Sequence, residues 1–368
     1  MIIVMRADLT PTSQEVTRVV SLAESFPGIK TQVHHHQGKT RSLVEVHLHG
    51  PTGVIPTAPF EEFESVEKVV RITEKFSAIG RHGGGLESLG FEYNGVSMTQ
   101  DSLHVFAGVC AIDSPKNLEL TFRALRDNGL VTTRAGAYKP RTSPYDFQGK
   151  GADCLPWVFE MAGKYGIKIV SMEITHESHI DEIRSALAAT GNATGVMLQI
   201  GTRNAQNFEL LKAAGAQTEF PVLFKRGFGI SLEESLNACE YLAAGGNRMI
   251  VFGLRGMRTH LGDPHRNMVD FAHVPVVKRL TRLPVCVDPS HSVGRRSMGP
   301  DGILDIFHVT AQGIIAGANM VLVDLHPNPG EALCDGPQAL LVEELPRFLE
   351  DVAIVRAAYE RRRELFSR

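Results

Sequence analysis

The sequence predicts an α/β protein: a (β/α)8 TIM barrel over residues 101–368, preceded by a small α+β, ferredoxin-like domain over residues 1–75 and a linker over 76–100. Three observations carry that prediction. Beyond Leu103, short β-rich apolar runs alternate with amphipathic segments, eight times over about 265 residues, which is the count and size of such a barrel. The first 75 residues instead follow a strand–helix–strand–strand–helix order, the pattern of a split βαβ unit. Finally, 368 residues that are 43% hydrophobic and 21% charged suffice for one large core and a small one. A doubly wound open sheet would have fewer strands and a glycine-rich first turn, and neither is seen.

In chain order, Ile2–Met5 is an apolar strand, and Pro11–Ser25 carries Val16, Val19, Val20 and Leu22 at helical spacing. Thr31–His36 and Ser42–His49 read as strands around the turn Gln37-Gly38-Lys39, and Ser65–Ile72 reads as a helix. His34-His35-His36 invites a metal reading, but alternate strand residues face opposite sides, so they read as exposed strand histidines. Gly83-Gly84-Gly85 has no strand before it, fails the dinucleotide fingerprint and reads as a hinge. The barrel strands are Leu103–Val109, Leu130–Arg134, Ile167–Met172, Gly195–Gln199, Pro221–Phe224, Met249–Phe252, Pro284–Val287 and Met320–Val323. Helical segments between them include Leu118–Arg126, Cys154–Tyr165, Ile180–Ala189, Asn207–Ala214, Leu232–Ala244 and Leu304–Ala316.

Composition narrows the function. A net charge of −3 gives no case for bulk binding of nucleic acid or of an anionic membrane. No apolar run approaches the about 20 residues that span a bilayer, and MIIVMRADLT is no secretory signal. Cys110, Cys154, Cys239, Cys286 and Cys334 are odd in number, scattered and free of any CxxC pair, which suits a reducing cytoplasm.

Barrel enzymes work at the carboxyl ends of their strands. Arg134, Lys139, Arg141, Arg203, Lys225, Arg226, Arg255 and Arg258 all follow strand ends here. So many cations at one mouth would repel one another unless an anion held them, and guanidinium forks match phosphate and carboxylate oxygens. A substrate set with more than one phosphate or carboxylate follows. A second cluster follows strands one, seven and eight: Cys110, His291, Asp324 and Asp335. Sulfur, nitrogen and oxygen together suit a borderline divalent ion such as Mn, Fe, Co or Zn, able to polarise a carbonyl oxygen. The bland alternatives are polar-loop cations on the surface and a buried structural cysteine with ordinary capping groups.

Four motifs then carry a resemblance: Gly136-Ala137-Tyr138-Lys139-Pro140-Arg141-Thr142-Ser143-Pro144-Tyr145, Gln199-Ile200-Gly201-Thr202-Arg203-Asn204, Lys225-Arg226-Gly227 and Asp288-Pro289-Ser290-His291. The sequence resembles the class I 3-deoxy-D-arabino-heptulosonate 7-phosphate (DAHP) synthases, in the branch shared with 3-deoxy-manno-octulosonate 8-phosphate synthases. The resemblance implies condensation of phosphoenolpyruvate with erythrose 4-phosphate, releasing phosphate, at the head of the shikimate pathway to aromatic amino acids. It implies that Arg134, Lys139, Arg203, Lys225 and Arg255 hold phosphoenolpyruvate. The loop Lys139-Pro140-Arg141-Thr142-Ser143 would hold the aldose phosphate, and Cys110, His291, Asp324 and Asp335 a divalent metal. Cys110 and His291 thereby join Lys139 as catalytic residues, Lys139 donating a proton to the new alkoxide with its pKa lowered by burial and neighbouring cations. The amino-terminal unit resembles a regulatory domain at which aromatic amino acids inhibit, and a homodimer or homotetramer is implied.

The chain departs from the family pattern at three places. Gly108-Val109-Cys110-Ala111 stands where Gly-Pro-Cys-Ser is usual, Leu254-Arg255-Gly256 where Glu-Arg-Gly is common, and Asp324 where a Glu precedes His-Pro. These departures leave room for a paralogue of specialised metabolism using another phosphorylated aldehyde, or for a non-catalytic phosphate-binding relative. A Schiff-base aldolase using Lys225 or Lys139 is the mechanistic rival.

Overall fold

The computed structural model describes residues 1–7, 9–37, 42–70, 76–81 and 89–367. The chain divides into two compact units, Met1–Lys75 and Phe76–Arg368.

In the first unit, β1 (Ile2–Met5), α1 (Gln14–Glu24), β2 (Lys30–Gln37), β3 (Ser42–His49), α2 (Ala58–Glu61) and β4 (Val66–Val70) build a sheet of order β2-β3-β1-β4. Every neighbouring pair is antiparallel, which is the split βαβ arrangement expected. Val16, Val19 and Ala23 of α1 share one core with Val44, Val46 and Leu48 of β3. One expectation is corrected: the segment read as the helix Ser65–Ile72 contains strand β4, paired with β1. Val66, Val69 and Val70 fit a helical spacing, but three β-branched residues pack better on a pleated edge. Of the histidine triplet, His35 is exposed, whereas His34 is half-buried with its ring 4.4 Å from that of His47; the His36 side chain, like Gly38 and Lys39 of the turn, lies outside the described residues.

In the second unit, eight parallel strands close on themselves: β7 (His104–Gly108), β8 (Thr132–Arg134), β9 (Ile169–Ile174), β10 (Gly195–Ile200), β11 (Val222–Lys225), β12 (Ile250–Leu254), β13 (Val285–Val287) and β14 (Met320–His326). Pairing of β14 with both β13 and β7 completes the barrel. Around it run α3 (Pro115–Asp127), α4 (Leu155–Lys164), α5 (Ser178–Ala189), α6 (Phe208–Ala216), α7 (Leu232–Ala244), α8 (Val274–Leu280), α9 (Pro289–Val293), α10 (Asp305–Ile315) and α11 (Leu345–Phe366). Residues 76–100, expected as a linker, contain structure that belongs to this unit. Phe76 and Ile79 are buried in its core, and the strands β5 (Phe91–Tyr93) and β6 (Val96–Met98) form a hairpin. Gly83-Gly84-Gly85 lies outside the described residues.

The two-residue period of each strand sorts the barrel into layers. Val105, Ala107, Val170, Met172 and Val285 face outward into the core shared with the helices. Phe106, Ile169, Met197, Leu223, Val251, Cys286, Met320 and Leu322 share a second cluster with Val96 and Met98 of the hairpin, which stops the amino-terminal end. One or two steps further along the same inward rows stand Glu173, Gln199, Lys225 and Arg255, which line a cavity at the carboxyl end, with Asp288 and Asp324 also buried. Apolar floor and charged mouth thus arise from one alternation.

Candidate active site

The cavity at the carboxyl mouth has a volume of about 240 Å³. Arg134, Lys139, Arg141, Thr142, Arg203, Lys225, Arg255, His291 and Asp335, all expected from sequence, line it, with Glu173, Gln199, Phe228, Arg266 and Cys334. Ser143 is not on its wall and accepts a hydrogen bond from the Tyr145 amide instead. Arg226 faces away, in a buried ion pair with Asp270, and His176 and His260 are exposed.

Arg255 is the most telling wall residue. It is 2% exposed, its Nε and Nη1 find no hydrogen-bond partner, and its guanidinium lies 4.9 Å above the Phe228 ring. Burial pushes its pKa down to about 10, with Arg266 and Arg203 repelling it and Asp288 and Asp270 pulling the other way. A charged fork buried beside other cations is an anion site awaiting its anion. Arg203 and Arg258 approach the same ring, so Phe228 is a shared platform for three guanidinia.

Lys139 donates to Glu173 Oε2 at 3.2 Å. That contact depends on Gly201, where a Cβ would lie 1.8 Å from Glu173 Oε1. Burial alone would lower the Lys139 pKa, but its interactions with Cys110, Glu173 and Cys334 outweigh it and hold the ammonium above its usual value. The expected lowering by neighbouring cations is therefore corrected: Lys139 is a firmly held cation.

Below the wall the second cluster assembles. Cys110 Sγ lies 3.7 Å from His291 Nε2 and donates to Asp335 Oδ2 at 3.0 Å, and His291 Nε2 is 3.5 Å from that same oxygen. Asp335 holds a φ of +55°, in the left-handed region that aspartate tolerates better than most non-glycine residues. Asp324 is near but engaged. One oxygen is ion-paired with Arg134 at 2.6 Å, the other accepts from Gln338 at 2.6 Å, and the carboxylate lies 3.9 Å from His291 Nδ1. Ligand atoms of Cys110, His291 and Asp324 lie within 4.8 Å of one another, as do those of Cys110, Cys334 and Asp335. A soft sulfur, an imidazole and carboxylates, all buried or nearly so, fit a borderline divalent ion.

Asp288 orders this cluster from behind. At 1% exposed it pairs with Lys225, accepts from His291 Nδ1 at 2.9 Å, and caps α9 through the His291 amide at 3.0 Å. The Nδ1 bond turns Nε2 of His291 toward Cys110 and Asp335, the outer-shell arrangement typical of metal-binding histidines.

The sequence model of the DAHP synthetase I family matches residues 87–359. The phospho-2-dehydro-3-deoxyheptonate aldolase of Thermotoga maritima is 33% identical over 350 residues, spanning 93% of this chain and 96% of that one. The chain belongs to the DAHP synthetase I family. A crystal structure of the Thermotoga maritima DAHP synthase superimposes with a TM-score of 0.70 over 97% of each chain. A truncated form of that enzyme covers 77% of this chain with a TM-score of 0.66. The 2-dehydro-3-deoxyphosphooctonate aldolase of Nitratidesulfovibrio vulgaris is 27% identical over 277 residues, 69% of this chain and 95% of that one. The family reaction is the condensation of phosphoenolpyruvate with erythrose 4-phosphate.

Two departures from the DAHP synthase pattern prove remote from the reacting groups. Val109 and Leu254 both point outward into the core between strands and helices. Ala111 and Asp324 are different: Ala111 packs with Cys110, Cys334 and Phe147, and Asp324 touches Arg134 and Gln338. Sequence reasoning placed none of Glu173, Asp288, Arg266, Cys334 and Gln338 among the site residues. The signal available for Glu173 and Asp288 was their position at strand ends. Cys334 adjoins a named ligand, and Gln338 lies beyond any pattern a motif would flag.

Proposed function

We propose that this chain condenses phosphoenolpyruvate with erythrose 4-phosphate, giving DAHP and inorganic phosphate. The observation that carries the reading is Arg255, a buried and unpartnered guanidinium in a cavity walled by Lys139, Arg203 and Lys225. In this reading Arg134, Lys139, Arg203, Lys225 and Arg255 bind the phosphate and carboxylate of phosphoenolpyruvate, and Arg141 with Thr142 and Ser143 receives the aldose phosphate. Cys110, His291 and Asp335 hold a divalent ion, with Asp324 beside them, and Mn, Fe, Co and Zn all suit that donor set. When bound, the ion supplies Lewis acidity toward the aldehyde oxygen. The enol carbon attacks the aldehyde carbon, Lys139 gives a proton to the alkoxide, water adds at the cationic carbon, and the carbon–oxygen bond to phosphate breaks. Fixed cations facing the reacting anions supply most of the acceleration.

A Schiff-base route fits poorly, because its lysine must attack as the neutral amine, whereas a proton donor starts out charged. Lys139 is held charged beside Glu173, and Lys225 is paired with Asp288. The greater likeness to the heptonate enzyme, 33% over 93% of the chain, favours erythrose 4-phosphate over longer acceptors.

Mixing the protein with both substrates and manganese is expected to release phosphate, and a chelator to slow release about 100-fold or more, since a Lewis acid contributes several kcal/mol. Release that ignores chelator, or none across a panel of aldose phosphates, overturns the reading.

We assign the ferredoxin-like unit a regulatory role with an aromatic amino acid as effector. Deleting residues 1–75 is expected to abolish inhibition by phenylalanine or tyrosine while catalysis persists, and full-length protein indifferent to both refutes the assignment. A cytoplasmic setting is proposed because the site needs its thiols reduced, and all five cysteines are free. No helix among the described residues is long and apolar enough to cross a membrane. Met298, Ile303 and Ile354 form an exposed apolar strip beside α10 and α11, in keeping with a homodimer or homotetramer.

A further inference from the structure

A buried carboxylate behind the cavity wall joins two of the loops that build it. Asp270, in the segment ahead of α8, is 3% exposed and is not itself on the wall. Its two oxygens serve different loops. Oδ1 accepts from the Gly256 amide at 2.8 Å, immediately after Arg255, and Oδ2 accepts from Arg226 Nη1 at 3.1 Å, immediately after Lys225. Arg226, also 3% exposed, extends the link: Nη2 donates to the Ile230 carbonyl at 3.2 Å, closing the turn that carries Phe228. Its Nη1 also donates to His273 Nδ1 at 2.9 Å, and its amide to the Gly253 carbonyl at 2.8 Å.

Arg255 needs such outside support. Its Nε and Nη1 have no hydrogen-bond partner, and Arg266 and Arg203 repel it. Its guanidinium rests on the Phe228 ring at 4.9 Å, and its backbone runs into Gly256 at a φ of +83°, where the chain has little stiffness of its own. Asp270 acts on both supports, on the backbone through Gly256 and on the ring through Arg226.

We infer that Asp270 is a positioning residue for phosphoenolpyruvate, holding Arg255 in the geometry its anion requires without touching the anion. This rests on the phosphoenolpyruvate reading given above.

The test compares full-length wild type, Asp270→Asn, Arg255→Met and the double variant, by kcat/KM for phosphoenolpyruvate from phosphate release and by calorimetric titration. Asparagine fills the same space but offers one acceptor oxygen, so one of the two ties is lost. Asp270→Asn is expected to weaken phosphoenolpyruvate about tenfold, with the KM for erythrose 4-phosphate unchanged. That loss is expected to fall below about twofold when Arg255 is already methionine, because the residue it acts through is gone. A merely structural defect would carry over into the double variant, so losses that multiply there overturn the inference, as does normal binding in Asp270→Asn. Should the stranded Arg226 charge unfold Asp270→Asn, Asp270→Asn with Arg226→Met leaves no unpaired charge and is read in the same two backgrounds, with the same outcomes. If wild type neither binds phosphoenolpyruvate nor releases phosphate, the functional reading itself falls and this role with it.

Discussion

Replacing Arg255 with methionine is expected to make the ligand-free protein more stable and at the same time nearly blind to phosphoenolpyruvate. The two effects share one cause. Arg255 is 2% exposed with Nε and Nη1 lacking hydrogen-bond partners, so the empty site carries a desolvation cost that the more distant Asp288 and Asp270 offset only in part. Methionine has a comparable reach and no charge to bury, and exchanging a poorly satisfied buried charge for an apolar side chain stabilises by about 1–4 kcal/mol. The bound anion loses a charged fork, a loss of about 2–5 kcal/mol, or about 30-fold to 1,000-fold or more in affinity. Denaturant unfolding gives the first quantity and calorimetric titration with phosphoenolpyruvate the second. Phosphate should also raise the melting temperature of wild type and leave that of Arg255→Met unmoved. A less stable variant that still binds phosphoenolpyruvate normally would show that Arg255 is structural.

Asp288 should behave in the opposite sense. Its carboxylate holds Lys225, orients His291 and caps α9. Asp288→Ala strands the buried Lys225 ammonium and is expected to destabilise the protein by about 3–5 kcal/mol. Asp288→Asn preserves shape and the helix cap but not the charge. It should fold and lose about 10- to 100-fold in metal affinity, the usual cost of removing the partner of a metal-bound histidine. Burial would raise the Asp288 pKa, yet His291, Lys225 and Arg134 hold it well below the ordinary range. An acid with a depressed folded value binds fewer protons folded than unfolded. Its stabilisation is therefore complete above about pH 4 and drains away on acidification, so the acid limb of the stability curve should flatten in Asp288→Asn. Equal metal affinity in wild type and Asp288→Asn would remove Asp288 from the centre.

The barrel was legible because strands buried on both faces, such as Gly195–Ile200 and Ile169–Ile174, appear as unbroken apolar runs between amphipathic helices. The hairpin Phe91–Tyr93 and Val96–Met98 was not, since three-residue strands leave no period to detect. β4 was misassigned because valines at 66, 69 and 70 satisfy helix and strand spacings alike. In the site, cations were visible because each stands at a strand end, where the fold itself says what will face the mouth. The roles of Cys334, Gln338 and Arg266 were not, because they arise from contacts among loops far apart in sequence. Arg266, for instance, donates to both Asp335 and Gln338 at 3.0 Å from a loop about seventy residues earlier. The direction of the Lys139 shift failed for a related reason: counting cations along the chain overlooked the thiols and Glu173 packed around the ammonium.

The hairpin that packs Val96 and Met98 against Phe106, Met197 and Leu223 closes the amino-terminal end of the barrel with apolar side chains. Among the described residues the cationic cavity lies at the opposite end. Inorganic phosphate leaving by that mouth would pass the same arginines that receive the next phosphoenolpyruvate, and so compete with it for them.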